Sequence, residues 1–424
     1  MLEWEVLEDE ERPLPRLAEE RARQGWEQWR PWLVLWALLL AAAVGMFWWR
    51  ARQQELALRA DLLQAIEAER RVMALGTPAE ATNLIFGLVD PDAPETWRNQ
   101  YWYQFAGSRA IPEPPRLGAV RLEEEGTLAL VETLWTMPNV PDPAAREVIE
   151  PRAYRLANGQ WRRTPLPIEE EAEKEELQTA HFVLIAPPDD LAALTSDPAL
   201  RLDLEEMWQH IDANWPRQWL ADTLIYLNVE PDEMAFLIGT QTSERTILVN
   251  SPRFAASKIA LDSPLSLQAQ YRLRVTTEVI RRLTMGQIGT GIFGEMAFTF
   301  RGILDQLQEA EARHAALTDE ERRAQRNHWR EQLDGAWLSP FTDPGYRSIV
   351  YTPVQAEQRE QQQLAMAFVL EYLVETEGVE VLGRMAQEMA RTRPGFAALC
   401  KQVTGLTEAE LEARVREYVA TTED

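Results

Sequence analysis

"RVTTEVIRRL", residues 274–283, decides how the second half of this chain is read. Val275, Val279, Ile280 and Leu283 recur at helical spacing and form one apolar stripe. The stretch therefore predicts a core-facing helix over residues 264–285, opened by Ser263 as cap and Pro264 in the first turn. Seventeen positions past Glu278 stands Glu295, within "GIFGEMAFTF", residues 291–300. Between the two, "GQIGTGIFG", residues 286–294, supplies glycines that let the chain turn tightly from one helix to the next. No Lys-Ser/Thr pair follows those glycines, so they do not make a phosphate loop.

Outward from this stretch, composition bounds the rest. A chain of 424 residues with 46% apolar content folds, and its length calls for more than one domain. The formal charge of −25 repels phosphate backbones, so nucleic acid is not an expected partner. A single cysteine, Cys400, excludes an intrachain disulfide and a thiolate zinc site. The four histidines, His181, His210, His314 and His328, include no pair at i, i+4 spacing. Lysine is nearly replaced by arginine, which reads as genomic bias.

Residues 31–49, "PWLVLWALLLAAAVGMFWW", carry no charge. At 1.5 Å per residue they reach roughly 28 Å, close to the hydrocarbon thickness of a bilayer. Tryptophans 26, 29 and 32 stand at one end and 48 and 49 at the other, where headgroups favour them. A single transmembrane helix is expected. The alternative, a cleaved signal peptide, has against it the 30-residue leader and the bulky "MFWWR" that follows the alanines. Arginines 12, 16, 21, 23 and 30 precede the span, and only Arg50, Arg52 and Arg59 follow it closely. That bias places residues 1–30 in the cytoplasm and the body outside it, in the cell membrane.

Beyond the span, "ARQQELALRADLLQAIEAERRVMAL" (51–75) keeps helical periodicity and can continue the membrane helix. Short helices are expected in "AEATNLIFGLVD" and "PETWRNQYWYQF". Strand-like runs follow at 118–125, 126–137 and 146–165, the last with Asn158–Gly159 as a hairpin turn. Helices followed by an antiparallel sheet define an α+β domain over 50–165. Its order resembles the cone-shaped nuclear-transport-factor-like fold. Such cones often enclose a pocket, and a plain packing module fits the pattern as well. The acidic run "IEEEAEKEE" (168–176) has no core face, so residues 166–178 read as a solvated linker. After it, "HFVLIAPPDD", "DTLIYLNV" and "RTILVN" read as buried strands, Glu244–Arg245 as a turn-flanking surface pair, and the chain from about residue 303 as helical. His181 reads as a strand-end histidine with an ordinary hydrogen bond.

Residues 179–424 resemble a peptidase MA-like domain of the gluzincin zinc-peptidase group. "TAHFVLIAPPDD" (179–190) is similar to that family's opening strand. "VTTEVIRRL" falls where the family has its HExxH helix, and "GIFGEMAFTF" where it has the helix bearing the third zinc ligand. "LAMAFVLEYLVETEGVEVLGRMAQEM" (364–389) and "FAALCKQVTGLTEAELEARVREYV" (396–419) are similar to its helical tail. The resemblance implies a site at Thr277, Glu278, Arg281 and Glu295, in which Glu278 and Glu295 match the general-base and carboxylate positions. Thr277 and Arg281 stand where the imidazoles belong. A guanidinium has no lone pair to give, and a hydroxyl is a poor zinc ligand, so the implied site is degenerate, with no catalytic residue and no metal or other cofactor. Arg281 can instead bridge to Glu295, with Glu278 able to join; the alternative has Arg281 and Arg282 pointing to solvent.

The expected architecture is thus α+β: one transmembrane helix, a small cone-like domain, and a degenerate gluzincin-like domain, 179–424, with a mainly helical C-terminal half. Three functions stay open on the residues. One is a membrane-anchored pseudopeptidase that binds a protein or peptide partner. The second is a structural subunit of a larger membrane complex, docked through the alanine-rich span. The third is a hydrolase with an unrecognised site.

Overall fold

A computed structural model of the chain describes residues 16–74, 84–99, 101, 115–167, 173–220, 224–230, 246–254, 260, 262–284, 295–333, 337–341 and 353–421. The turn expected at 286–294 and the pair Glu244–Arg245 lie outside the described residues. The chain divides into two compact units, residues 1–62 and 63–424.

α1 (Arg16–Ala74) is one uninterrupted helix of 59 residues, with residues 16–62 in the first unit and 63–74 in the second. The apolar segment 31–49 therefore runs straight on into the periodic stretch after it. Pro31 sits inside this helix, where it removes one backbone hydrogen bond. Every residue from 29 to 57 is exposed, and Phe47 is 77% so. Apolar side chains facing outward all round a helix suit a lipid surround, not water. Among the described residues, this is the one helix long and apolar enough to cross a membrane.

The second unit contains two sheets. In the first, β1 (Arg116–Glu123), β2 (Leu128–Thr136), β3 (Glu147–Ala157) and β4 (Gln160–Thr164) form an antiparallel meander in that order. Asn158 and Gly159 take φ values of 53° and 77°, the left-handed pair that a tight β3–β4 hairpin requires. Short helical segments at 84–88 and 95–99 join a cluster of Val72, Ile85, Val89, Ala93, Trp97 and Tyr101. Val89 then makes a parallel bridge to Arg163.

The second sheet runs β5 (Glu175–Gln178), β6 (Phe182–Ala186), β7 (Ile225–Glu230) and β8 (Thr246–Asn250). β5 pairs antiparallel with β6, while β6, β7 and β8 are parallel. This corrects the reading of 166–178 as a linker throughout, because its last four residues form an edge strand. An edge strand needs only backbone bonds on one side, and all four side chains of β5 stay in water. Two helices, α2 (Pro188–Ser196) and α3 (Leu204–Asn214), make the crossover from β6 to β7.

The remainder is helical: α4 (Leu267–Thr284), α5 (Glu295–Ala316), α6 (Asp319–Leu333), α7 (Pro353–Glu377), α8 (Glu380–Thr392), α9 (Phe396–Thr404) and α10 (Glu408–Thr421). The α4 stripe of Val275, Val279, Ile280 and Leu283 is buried as its spacing requires. Its cap differs from expectation. Ser266 Oγ, not Ser263 Oγ, accepts a first-turn amide, that of Ala269 at 3.2 Å. Ser263 Oγ accepts from Leu265 N at 3.1 Å and so closes the turn leading in. That stripe belongs to a core cluster that unites β6–β8 with residues of α2–α10. The two sheets' surroundings also meet: Trp135, Met137, Val140 and Val148 pack with Leu267 at the start of α4, and Asn139 Nδ2 donates to Asp262 O at 2.6 Å.

Candidate functional site

The residues singled out by the motif are held by an α4–α5 helix pair. Gln308 Nε2 donates to Thr284 Oγ1 at 2.7 Å, and Arg272 Nε to Ala316 O at 3.0 Å. These two bonds run the helices antiparallel and fix their register. Thr277 Oγ1 turns back on its own helix and donates to Leu273 O at 2.7 Å. Glu278 lies between two cations, 3.8 Å from Arg281 Nη1 and 3.4 Å from Arg282 Nε. Arg281 Nη2 donates to Glu309 Oε1 at 3.2 Å.

The structure thus brings Thr277, Glu278 and Arg281 onto one helix, but it gives Arg281 a different partner from the expected Glu295. The Glu295 side chain lies outside the described residues. Its backbone opens α5, thirteen positions before Gln308, which is about 20 Å of helix axis away from the level of Thr284. The spacing from 278 to 295 counts through two helices and the connection between them, so it did not reveal this register. Neither guanidinium simply enters solvent: the Arg281 and Arg282 side chains are 34% and 23% exposed.

The surroundings are a mixed-charge seam. Burial pushes the Arg274 guanidinium down to about 10, against the pull of Glu278. Burial also raises Asp305, with Arg281 and Arg301 opposing. A gluzincin-type zinc ion does not fit here. Thr277's hydroxyl is engaged, and a permanent cation stands where a second imidazole would be needed. Among the described residues, no three His, Cys, Asp or Glu side chains are grouped to hold a metal ion.

The histidines have other partners. His181 Nδ1 lies 2.7 Å from Glu205 Oε2, and its ring stacks on Trp208 at 3.5 Å, an ordinary strand-end arrangement. His328 Nε2 is 3.0 Å from Gln332 Nε2. His210 Nε2 lies 2.9 Å from the buried Glu311 carboxylate of α5. His314, also on α5, is pushed below its ordinary value by burial and by Arg322.

A second constellation, missed in the sequence, fills the interior of the first sheet. Arg152 Nη1 donates to Glu69 Oε2 at 2.7 Å, and its Nη2 lies 2.8 Å from Glu150 Oε2. Trp135 Nε1 donates to the same Glu150 oxygen at 2.7 Å, and Tyr101 Oη donates to Glu69 at 3.1 Å. Arg163 donates to the carbonyls of Ala153 and Thr164 and lies over the rings of Tyr101 and Tyr154. Burial raises the Glu69 carboxyl, opposed by Arg152 and Arg163, and it raises the Tyr101 phenol strongly. A signal for this constellation exists: Glu150, Arg152 and Tyr154 alternate on the face of β3 that should be apolar, and Glu69 lies three residues from both Ile66 and Val72 on a buried helix stripe.

Compared with known proteins, the chain matches no family model, no curated protein and no solved structure.

Proposed function

We propose that this chain is a membrane-anchored, extracytoplasmic pseudopeptidase that acts by binding a protein or peptide partner. The observation that supports this reading is the ion-pair seam at the motif, where Arg281 bonds to Glu309 and stands beside Glu278. A helix pair cross-linked by half-exposed charges is suited to recognition by complementary charge, and needs no reaction. The span at 31–49 and the arginine bias around it support a cytoplasmic N-terminus with the body outside.

The test uses the full-length chain in mild detergent and in its native membrane. Elemental analysis and peptide hydrolysis are measured for wild type and Glu278→Gln. Sub-stoichiometric zinc and no Glu278-dependent hydrolysis are expected. A photo-crosslinking amino acid at position 277 is expected to give one discrete adduct in the native membrane. One zinc per chain, with cleavage abolished in Glu278→Gln, would return the protein to the peptidases. Absence of any adduct would remove the binding role from this face.

A further inference from the structure

Glu311 is 2% exposed, yet both of its oxygens are engaged by groups from α3 and the residue that ends it. His210 Nε2 approaches Oε1 at 2.9 Å, and Trp215 Nε1 donates to Oε2 at 3.2 Å. Among these groups His210 is the imidazole, the side chain whose charge changes near neutrality; the side chain is 29% exposed, with Nε2 itself buried against Glu311. α3 also meets α8: Gln387 Nε2 of α8 donates to Asn214 O at 2.8 Å. Gly383 of α8 approaches Asn214 so closely that a Cβ there would lie 2.6 Å from its carbonyl oxygen. α3 is therefore held by contacts to both α5 and α8, and one of these contacts is titratable. Two residues before Glu311, Glu309 carries the bond to Arg281, so α5 reaches both α3 and the motif helix.

We propose that His210 and Glu311 form a proton-controlled latch that holds α3 against α5 and loosens as the medium turns alkaline. With the proton bound, the contact is an ion pair at 2.9 Å to a buried carboxylate; without it, the imidazole is neutral and that attraction is lost. The other charged groups facing the imidazole are Glu380 of α8, which favours the proton, and His314 of α5. Burial and Arg322 of α6 push His314 below its ordinary value, and a charge on His210 pushes the same way; Arg313 is turned to Glu371 of α7 at 2.9 Å. The hydrogen bond to Glu311 lifts His210 above its ordinary value, against the effect of burial. A histidine with a raised folded pKa stabilises fully below its unfolded value near 6.5, and that contribution is lost as pH rises through the folded value.

The test is hydrogen exchange of amides 204–214, with thermal unfolding, on the full-length protein in detergent between pH 6 and 8.5. His210→Gln retains a neutral donor toward Glu311 and has no proton to lose. After correction for base-catalysed intrinsic exchange, opening of α3 in wild type is expected to rise about fivefold across this range, the difference between a charged and a neutral hydrogen bond. In His210→Gln it is expected to stay flat, at the wild-type alkaline level. Glu311→Gln, which keeps the shape and removes the charge, is expected to be equally flat. A wild-type response no larger than that of His210→Gln, or a gap between them that widens with pH, overturns the latch.

Discussion

At the scale of single residues, the interior of the first sheet and the motif helix make opposite predictions from the same kind of contact. Arg152 and Glu69 are an ion pair with side chains 6% and 2% exposed. Removing one partner leaves a buried charge without compensation, so Arg152→Ala is expected to lose about 3–5 kcal/mol. Arg281 and Glu309 are about a third exposed, and water screens them. Arg281→Ala is expected to lose under about 1 kcal/mol. Chemical denaturation of the two variants side by side checks both values, and an equal loss would show that burial does not govern these pairs. The difference was not legible from the residues. Glu278 and Arg281 drew attention because a motif spacing pointed at them. Glu69 and Arg152 are 83 positions apart and belong to no motif. What betrays them is a violated pattern, charge on a face that should be apolar, and only the packing of α1 against β3 brings the two violations together.

Among the secondary-structure elements, the sequence reading succeeds where local periodicity decides and fails where tertiary contact decides. The strands β2, β3, β6, β7 and β8 and the stripe of α4 follow from alternation or helical spacing alone. The α4 cap does not. Ser263 precedes Pro264 and looks the better start, but Ser266 receives the first-turn amide. Ser266→Ala is therefore expected to destabilise by about 1 kcal/mol, and Ser263→Ala by less, since only the former removes a helix cap. Equal effects in thermal unfolding would put the helix start back at Ser263. The α3–α8 contact gives a second element-scale prediction. At Gly383 a methyl group would meet the backbone of Asn214, not a flexible side-chain end. Gly383→Ala is expected to cost about 1–3 kcal/mol although alanine favours helices, because the two helices must move apart. A neutral or stabilising result in denaturant unfolding would mean that α3 and α8 do not approach so closely. β5 teaches the same lesson in reverse. Its glutamates read as solvated linker, and solvated they are, but an edge strand draws its stability from backbone bonds that side-chain character does not announce.

For the whole molecule, the fold class and the single apolar span were legible, because both depend on composition summed over many residues. The packing of residues 63–424 into one unit was not, since it rests on a few contacts such as Asn139 with Asp262 and Trp135 with Leu267. The membrane reading makes the last prediction. A signal sequence and a retained anchor share the apolar run at 31–49, but they differ in what survives maturation. In the structure the run lies inside one helix from Arg16 to Ala74, so cleavage after the tryptophans would cut an uninterrupted helix and not an extended segment that a peptidase can bind. The mature protein is therefore expected to begin before residue 31, to resist alkaline carbonate extraction, and to pellet with membranes. Arginine at the centre of a span costs about 2.5–3.5 kcal/mol in insertion. Leu39→Arg with Leu40→Arg is accordingly expected to release a large share of the chain to the soluble fraction. An N-terminus found after residue 49, or a wild-type body extracted by carbonate, would show that the run is removed and that residues 63–424 act free of the membrane.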